Sequence, residues 1–378
     1  MTGNRKLFEE VNEGSRSEPP KGGMIGAGRG RGRGAIRTWL LVLFALVVLM
    51  IAVGGLTRLT DSGLSITEWR PVTGALPPMS DAAWTAEFEK YQQIPEYQLQ
   101  NKGMNLAEFK SIYWWEWGHR QLGRVIGLVW AAGFVFFWAT KRIPPGWTGR
   151  LVLIGALGGI QGAIGWWMVH SGLSGERVDV ASYRLAMHLG LAFAILGFIA
   201  WYMFQLSRPE AELLQARRGR EAGLVTLSGW LAGLAFLQIL LGALVAGIDA
   251  GRGFTDWPLM AGGFLPPDMF YLEPAWRNLF ENAGLVQFIH RMVGYALFLA
   301  GLVVWMKGRR SSHRKTQAAF NMMMAMMLLQ VVLGIITVMY SAPLALGLAH
   351  QLGAVALWVM IWRTRYLAAY PIATSIRG

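Results

Sequence analysis

The sequence predicts an all-α integral membrane protein: eight transmembrane helices forming two tandem, pseudo-symmetric four-helix bundles. Three observations carry this reading. The chain is 54% hydrophobic and only 15% charged, too apolar for an ordinary soluble domain. Eight apolar runs follow one another along it, each near the ~20 residues that a bilayer core requires. The last three of those runs repeat motifs found in the second, third and fourth.

Residues 1–35 are polar and rich in Gly and Arg, closing in the alternation Gly28 to Gly34. They are expected to be a disordered, basic, cytoplasmic N-terminus. The apolar run after Arg37 is too long for a secretory signal peptide, and no small-residue cleavage site closes it. The expected spans are 36–56, 121–140, 151–170, 184–206, 223–247, 285–306, 318–339 and 343–362. Only Tyr340-Ser341-Ala342 separates the last two, but a single helix through both would be far too long. Pro343 starts the final span, where its missing N–H costs little. The expected domains are an N-terminal bundle, 36–206, with a long loop at 57–118, and a C-terminal bundle, 223–366. A linker, 207–222, joins them, and a tail, 367–378, follows.

Loop charge sets the expected orientation. Of the 35 Lys and Arg, 23 lie in the N-terminal segment, the 141–150, 207–222 and 307–316 loops and the C-terminal end. The 57–118 segment carries more Asp and Glu than Lys and Arg. By the positive-inside rule, both termini are cytoplasmic and the 57–118 and 248–283 loops lie outside, in a bacterial inner membrane. Their Trp, Tyr and Pro suggest helices lying at the interface, with Asp81 to Tyr91 as a candidate.

Composition also excludes. With no cysteine, disulfides, thiolate metal sites, iron–sulfur clusters and covalent c-type heme are all ruled out. Any redox group must be held by His or Met. The net charge of +13 does not indicate nucleic acid, because the basic residues lie between membrane spans rather than on one face.

The repeat is specific. His119-Arg120-x-x-Gly123 in span two matches His290-Arg291-x-x-Gly294 in span six. Gln161-x-x-x-Gly165 with Val169 in span three matches Gln330-x-x-x-Gly334 with Val338 in span seven. His188-Leu189-Gly190 in span four matches His350-x-Leu352-Gly353 in span eight. All four histidine-bearing spans run in the same direction, with each His in the first turn or two. His119, His188, His290 and His350 therefore share one depth near the outer face, two from each half. A lone His near a helix end is more often simply solvated. Four in a repeated pattern point to axial ligation of heme iron, two per bundle. His170 and His313 lack repeat partners and are not expected to be ligands.

Arg120 and Arg291 directly follow a candidate ligand and are placed to contact heme propionates, or else to snorkel at the interface. Gly123, Gly127, Gly190, Gly294 and Gly353 suit either a flat macrocycle or close helix packing. The Met run 322–327 reads as packing filler. The halves differ at one place: Glu116 stands one turn before His119, where Gln287 precedes His290. A carboxylate there can act as acid, base or charge stabiliser beside a reacting macrocycle. Alternatively, it is an interfacial acid paired with Arg120 or Arg58.

These residues resemble the heme A synthase family, in its cysteine-free mitochondrial and alphaproteobacterial branch. The matching stretches are Gly54-Gly55-Leu56-Thr57-Arg58-Leu59-Thr60-x-Ser62-Gly63-Leu64-Ser65, Trp69, and Pro71-Val72-Thr73-Gly74-x-x-Pro77-Pro78. Further on come Glu108-Phe109-Lys110-x-Ile112-Tyr113-Trp114-x-Glu116-x-x-His119-Arg120-x-x-Gly123-Arg124, Gln161 to Leu173, and the other three histidines. The likeness covers about residues 36–366. It implies an oxidoreductase that converts the C8 methyl of heme O to a formyl group through a hydroxymethyl heme, making heme A for cytochrome c oxidase. It further implies that His119 and His188 hold the substrate heme with Glu116 near the reacting edge, and that His290 and His350 hold a permanent heme b. Implied partners are heme O synthase, oxidase assembly factors and an electron donor that the residues do not name. A homo-oligomer is compatible, and no nucleic acid is expected. Two other readings compete: a quinol-oxidising electron-transfer protein with two b hemes, and a heme O or heme A chaperone.

Overall fold

The computed structural model describes residues 24–173 and 178–372. Among them are twelve α-helices and no strand beyond a single bridge between Met260 and Gly263. Eight helices are long and apolar enough to cross a membrane. This is an integral membrane, all-α protein.

The chain enters through α1 (Met24–Leu59), then passes two short helices, α2 (Asp81–Tyr91) and α3 (Pro95–Leu99). Three long helices follow: α4 (Leu106–Ala139), α5 (Thr148–His170) and α6 (Ser182–Leu206). A short α7 (Glu210–Ala216) links to α8 (Ala222–Gly247), and a second long connection contains α9 (Asn278–Glu281). The chain ends in α10 (Ala283–Gly308), α11 (Arg314–Met339) and α12 (Leu344–Ala369). The interfacial candidate Asp81 to Tyr91 forms a helix with the expected bounds, capped by Ser80, whose Oγ accepts from the Ala83 N–H.

Three boundaries differ from expectation. First, α1 begins at Met24, inside the segment expected to be disordered; residues 1–23 lie outside the described residues. Extending an anchored apolar helix avoids the nucleation cost that an isolated Gly/Arg segment would face. Second, α12 continues to Ala369, past the start of the expected tail, and 373–378 lie outside the described residues. Third, α4 begins fifteen residues before the expected span. Its start is fixed by a capping box: Asn105 Oδ1 accepts from Ala107 and Glu108 N–H, while Glu108 Oε2 accepts from Asn105 N–H.

Contacts among the long helices follow a regular pattern. α1 packs on α4 and α6, and α5 on α4 and α6. In the later helices, α8 packs on α10 and α12, and α11 on α10 and α12. The two sets meet where α6 contacts α8 and α12, and where α1 contacts α12. Within a membrane, burying apolar surface does little to drive helices together, so close approach and satisfied polar groups do the work. Trp39 of α1 lies over Gly133 of α4, and its Nε1 donates to the Val129 carbonyl at 3.0 Å. Trp130 of α4 repeats this on Gly155 of α5, donating to Leu151 at 3.1 Å. Between the sets, Trp358 of α12 donates to Phe193 of α6 at 2.9 Å, and Gln351 of α12 donates to Ile51 of α1 at 2.6 Å.

The long connections fold over the histidine-bearing end. Trp84, Tyr91, Phe109 and Tyr113 form a buried aromatic cluster with Leu64, Ile66 and Ile94, joining α2 and the start of α4 in one small core. Arg58, at the end of α1, reaches Asp61 at 2.6 Å, Asp249 at 2.8 Å and Asp179 at 3.7 Å. That clamp ties the first connection to the turns before α6 and after α8.

Candidate functional site: paired histidines and a buried carboxylate

The four sequence-identified histidines sit on α4, α6, α10 and α12. His188 and His350 are each the seventh residue of their helix, and His290 is the eighth. His119 is the fourteenth, so the expectation that it lies in the first turn or two does not hold. The extra turns of α4 rise into the aromatic cap, out of reach of a hydropathy reading. α4 and α6 both pack on α1 and α5, and α10 and α12 both pack on α8 and α11, so the histidines fall into two pairs, His119 with His188 and His290 with His350.

Each imidazole is seated by the span that precedes its own. A Cβ at Gly165 of α5 would come 2.9 Å from His188 Cε1. At Gly242 of α8 it would come 3.1 Å from His290 Cε1, and at Gly334 of α11, 3.0 Å from His350 Cε1. One turn before each of these glycines is a glutamine. Gln161 Nε2 donates to the His188 carbonyl at 2.9 Å and lies 3.2 Å from its Nδ1. Gln238 Nε2 donates to the His290 carbonyl at 3.0 Å and lies 3.3 Å from its Nε2. Gln330 Nε2 donates to the His350 carbonyl at 2.7 Å and lies 3.1 Å from its Nδ1. Gln161 and Gln330 are marked by the sequence repeat, though without a role, and Gln238-x-x-x-Gly242 is not part of the repeat as the histidines define it. The same spacing in span five was the available signal. At His119 the glycine is Gly54 of α1, where a Cβ would come 3.3 Å from Nε2, but Met50 stands in the glutamine's place.

Glu116 is buried, with 2% of its surface exposed. Its Oε1 accepts from Arg120 Nε at 3.1 Å and Nη2 at 2.6 Å. Its Oε2 accepts from Ser65 Oγ at 2.8 Å and Ile66 N–H at 2.7 Å. Of the two partners weighed for this acid, Arg120 is the one used; Arg58 is held by aspartates instead. Each oxygen accepts two hydrogen bonds, so Glu116 is a fixed acceptor hub that pins the 65–66 turn. Ser65 stands out in the sequence only as part of a motif, and its link to Glu116, 51 residues away, has no local signature.

Arg120 also donates to the Glu68 carbonyl at 3.1 Å and the Ile66 carbonyl at 2.8 Å. Arg291 grips the other connection, donating to the carbonyls of Asp256 at 3.0 Å, Leu259 at 2.9 Å and Phe254 at 2.9 Å. Neither guanidinium snorkels. A guanidinium has five N–H donors; Arg120 uses four of these, whereas Arg291 keeps its Nε unpartnered. Gln287 donates to the Phe254 carbonyl at 2.9 Å, and its Oε1 has no partner. A polar cleft of about 150 Å³ opens beside Arg120, lined by Ile66, Glu68, Trp166, Val169 and His170. His170 stacks on Trp166 with ring centroids 6.1 Å apart, and His313 lies 3.7 Å from Glu221. The glycines divide: Gly190 packs against Leu240 of α8, whereas a Cβ at Gly127 would meet nothing within 4 Å.

Among the described residues, no three His, Cys, Asp or Glu side chains converge as a metal cage. The donors come as two pairs of imidazoles, a set suited to an iron that brings its own equatorial nitrogens. The buried, unpartnered His290 Nδ1 and the glycine seats fit such a group.

Fold and site together define a polytopic membrane protein with two pairs of helix-borne imidazoles. The chain belongs to the cytochrome oxidase assembly protein family, whose pattern matches residues 37–362. It is 65% identical over 380 residues to a heme A synthase of Dinoroseobacter shibae, covering 100% of this chain and 99% of the relative. Heme A synthases of Ruegeria pomeroyi and Paracoccus denitrificans are 65% and 62% identical over 381 and 375 residues, covering 100% and 99% of this chain and 100% and 98% of those relatives.

Proposed function

We propose that this chain is a heme A synthase: an oxidoreductase that takes heme O as substrate and converts its C8 methyl group to a formyl group. The observation that carries the reading is the pairing of His119 with His188 and of His290 with His350. Full-length similarity to proteins of that name supports it.

The earlier helices, within 36–206, form the substrate half, with His119 and His188 toward the substrate iron. The later helices, within 223–366, form the other half, with His290 and His350 holding a resident heme b that passes electrons. The difference between Glu116 and Gln287 supports that division. Glu116 offers fixed negative charge one helix turn from His119; Gln287 offers none beside His290. Arg120 and Arg291 are the proposed propionate contacts. The free Nε of Arg291 allows the two-pronged grip on a carboxylate, whereas Arg120 already spends that edge on Glu116. Both termini are assigned to the cytoplasm and the histidine-bearing end to the opposite side, from the loop charges.

The test is to extract pigment from the purified protein and identify the hemes by mass. Heme b together with heme O, a hydroxylated heme or heme A is expected. Two equivalents of heme b alone, from cells that make heme O, would overturn the proposal in favour of simple electron transfer.

A further inference from the structure

Four imidazoles are built to one plan with one exception, and the exception falls in the substrate half. At His188, His290 and His350, a glutamine amide on the preceding span donates to the histidine's own carbonyl at 2.7–3.0 Å and also contacts a ring nitrogen. The glycine one turn further on faces the ring's Cε1. The histidine's backbone is therefore held by a hydrogen-bond donor, and its ring by close packing.

At His119 the corresponding residues are Met50 and Gly54. That Met50 occupies the glutamine's place follows from its neighbour as well as from the spacing. Its Cε lies 3.6 Å from a Cβ built at Gly123, just as Gln238 Nε2 lies 3.1 Å from one built at Gly294. Methionine has no N–H, so it cannot hold the His119 carbonyl or ring. Its thioether is unbranched and pliable, and gives way to a moving neighbour. The His119 ring is also turned differently: a Cβ built at Gly54 would meet its Nε2 and Cδ2, at 3.3 and 3.6 Å, where at the other three it would meet Cε1 first.

We propose that Met50 is a positioning residue that leaves His119 as the one adjustable ligand of the four. The substrate half can then take up heme O and give up its product, while the other half keeps its heme. This rests on the functional reading above and adds to it. A resident cofactor gains from two restrained imidazoles, whereas a substrate that must leave needs one that lets go.

The test uses the full chain, purified with its hemes, and follows their transfer to excess apomyoglobin. The heme left in the protein is identified by extraction. For Met50→Gln, transfer of the substrate-half heme should slow at least tenfold, and the ferric low-spin resonance of that heme should shift. Met50→Leu, which adds no donor, should behave like the parent. Gln238→Met should speed loss of the other heme at least tenfold. If Met50→Gln leaves both rate and resonance unchanged, or Met50→Leu moves them equally, the proposal fails. Two equivalents of heme b and no heme O-derived pigment in the parent would overturn the functional reading and this proposal with it. Heme b beside a heme O-derived pigment, with an inert Met50→Gln, would overturn the proposal alone.

Discussion

Glu116 and Arg120, one turn apart on α4, form a two-pronged ion pair whose other ends hold the chain at Ser65, Ile66 and Glu68. The pair thus joins a residue one helix turn from a proposed substrate ligand to the connection that covers it. Breaking a buried pair from one side typically costs about 3–5 kcal/mol. Here the cost is smaller, because Arg120 is 15% exposed and keeps its carbonyl partners. In Glu116→Gln, one amide N–H₂ must face either Arg120 or the Ser65–Ile66 donors. We expect formyl heme production to fall about 100- to 1,000-fold, the range for removing one preorganised electrostatic group at a reacting centre. Both hemes should remain. Heme A at parental yield from this variant would remove Glu116 from the chemistry.

The two histidine pairs should be separable. His290→Ala is expected to deplete heme b, while His119→Ala should leave heme b and lose the heme O-derived pigment. Extraction of each purified variant checks this. Equal loss of both pigments in both variants would refute a division of labour.

Glycine seats are testable without touching a histidine. A Cβ at Gly165 would sit 2.9 Å from His188 Cε1, and one at Gly242 would sit 3.1 Å from His290 Cε1. Overpacking of this kind costs about 1–3 kcal/mol, directed here at ring position. Gly242→Ala should lower heme b content and Gly165→Ala the other heme. Gly158→Ala, on α5 with nothing within 4 Å of its Cβ, should match the parent. Heme-to-protein ratios decide it, and a Gly158→Ala protein equally depleted would show general helix damage instead.

Glu96 lies under the aromatic cap, 3% exposed and with Oε2 unpartnered. Burial, then the nearby carboxylates of Asp179, Glu116 and Asp61, pushes its carboxyl up to about 8. An acid whose folded value is raised destabilises the fold once the unfolded chain would release its proton. The penalty is absent below the ordinary carboxylate range, near pH 4.5, grows as pH rises, and levels off above about 8. Glu96→Gln should therefore unfold close to the parent's temperature at pH 5 and above it at pH 8. A difference that is constant across that range would refute this account.

Much of this was legible in the sequence, for identifiable reasons. Bilayer thickness fixes span length, so all eight membrane helices were placed, and the tandem motifs marked the four histidines. What stayed hidden was non-local or left the membrane. The start of α4 falls in a polar, aromatic stretch that hydropathy passes over, although Asn105 and Glu108 spell its cap. Gln238 and Met50 lie in spans five and one, which differ at this very position, so the motif shared by the other paired spans does not extend to them. Arg120 and Arg291 were read as facing a ligand because they follow one. Their carbonyl partners, 32 to 54 residues away, exist only once the connections fold back.

The early start of α4 has a mechanical consequence. Phe109 and Tyr113, in the cap's core, and Glu116 and His119 belong to one uninterrupted helix. At 1.5 Å per residue, Phe109 and His119 are about 15 Å apart along a stiff rod. The cover over this half is therefore not a hinged lid whose state is independent of what lies beneath. Tilting it would tilt the ligand, and strain at either end would be felt at the other.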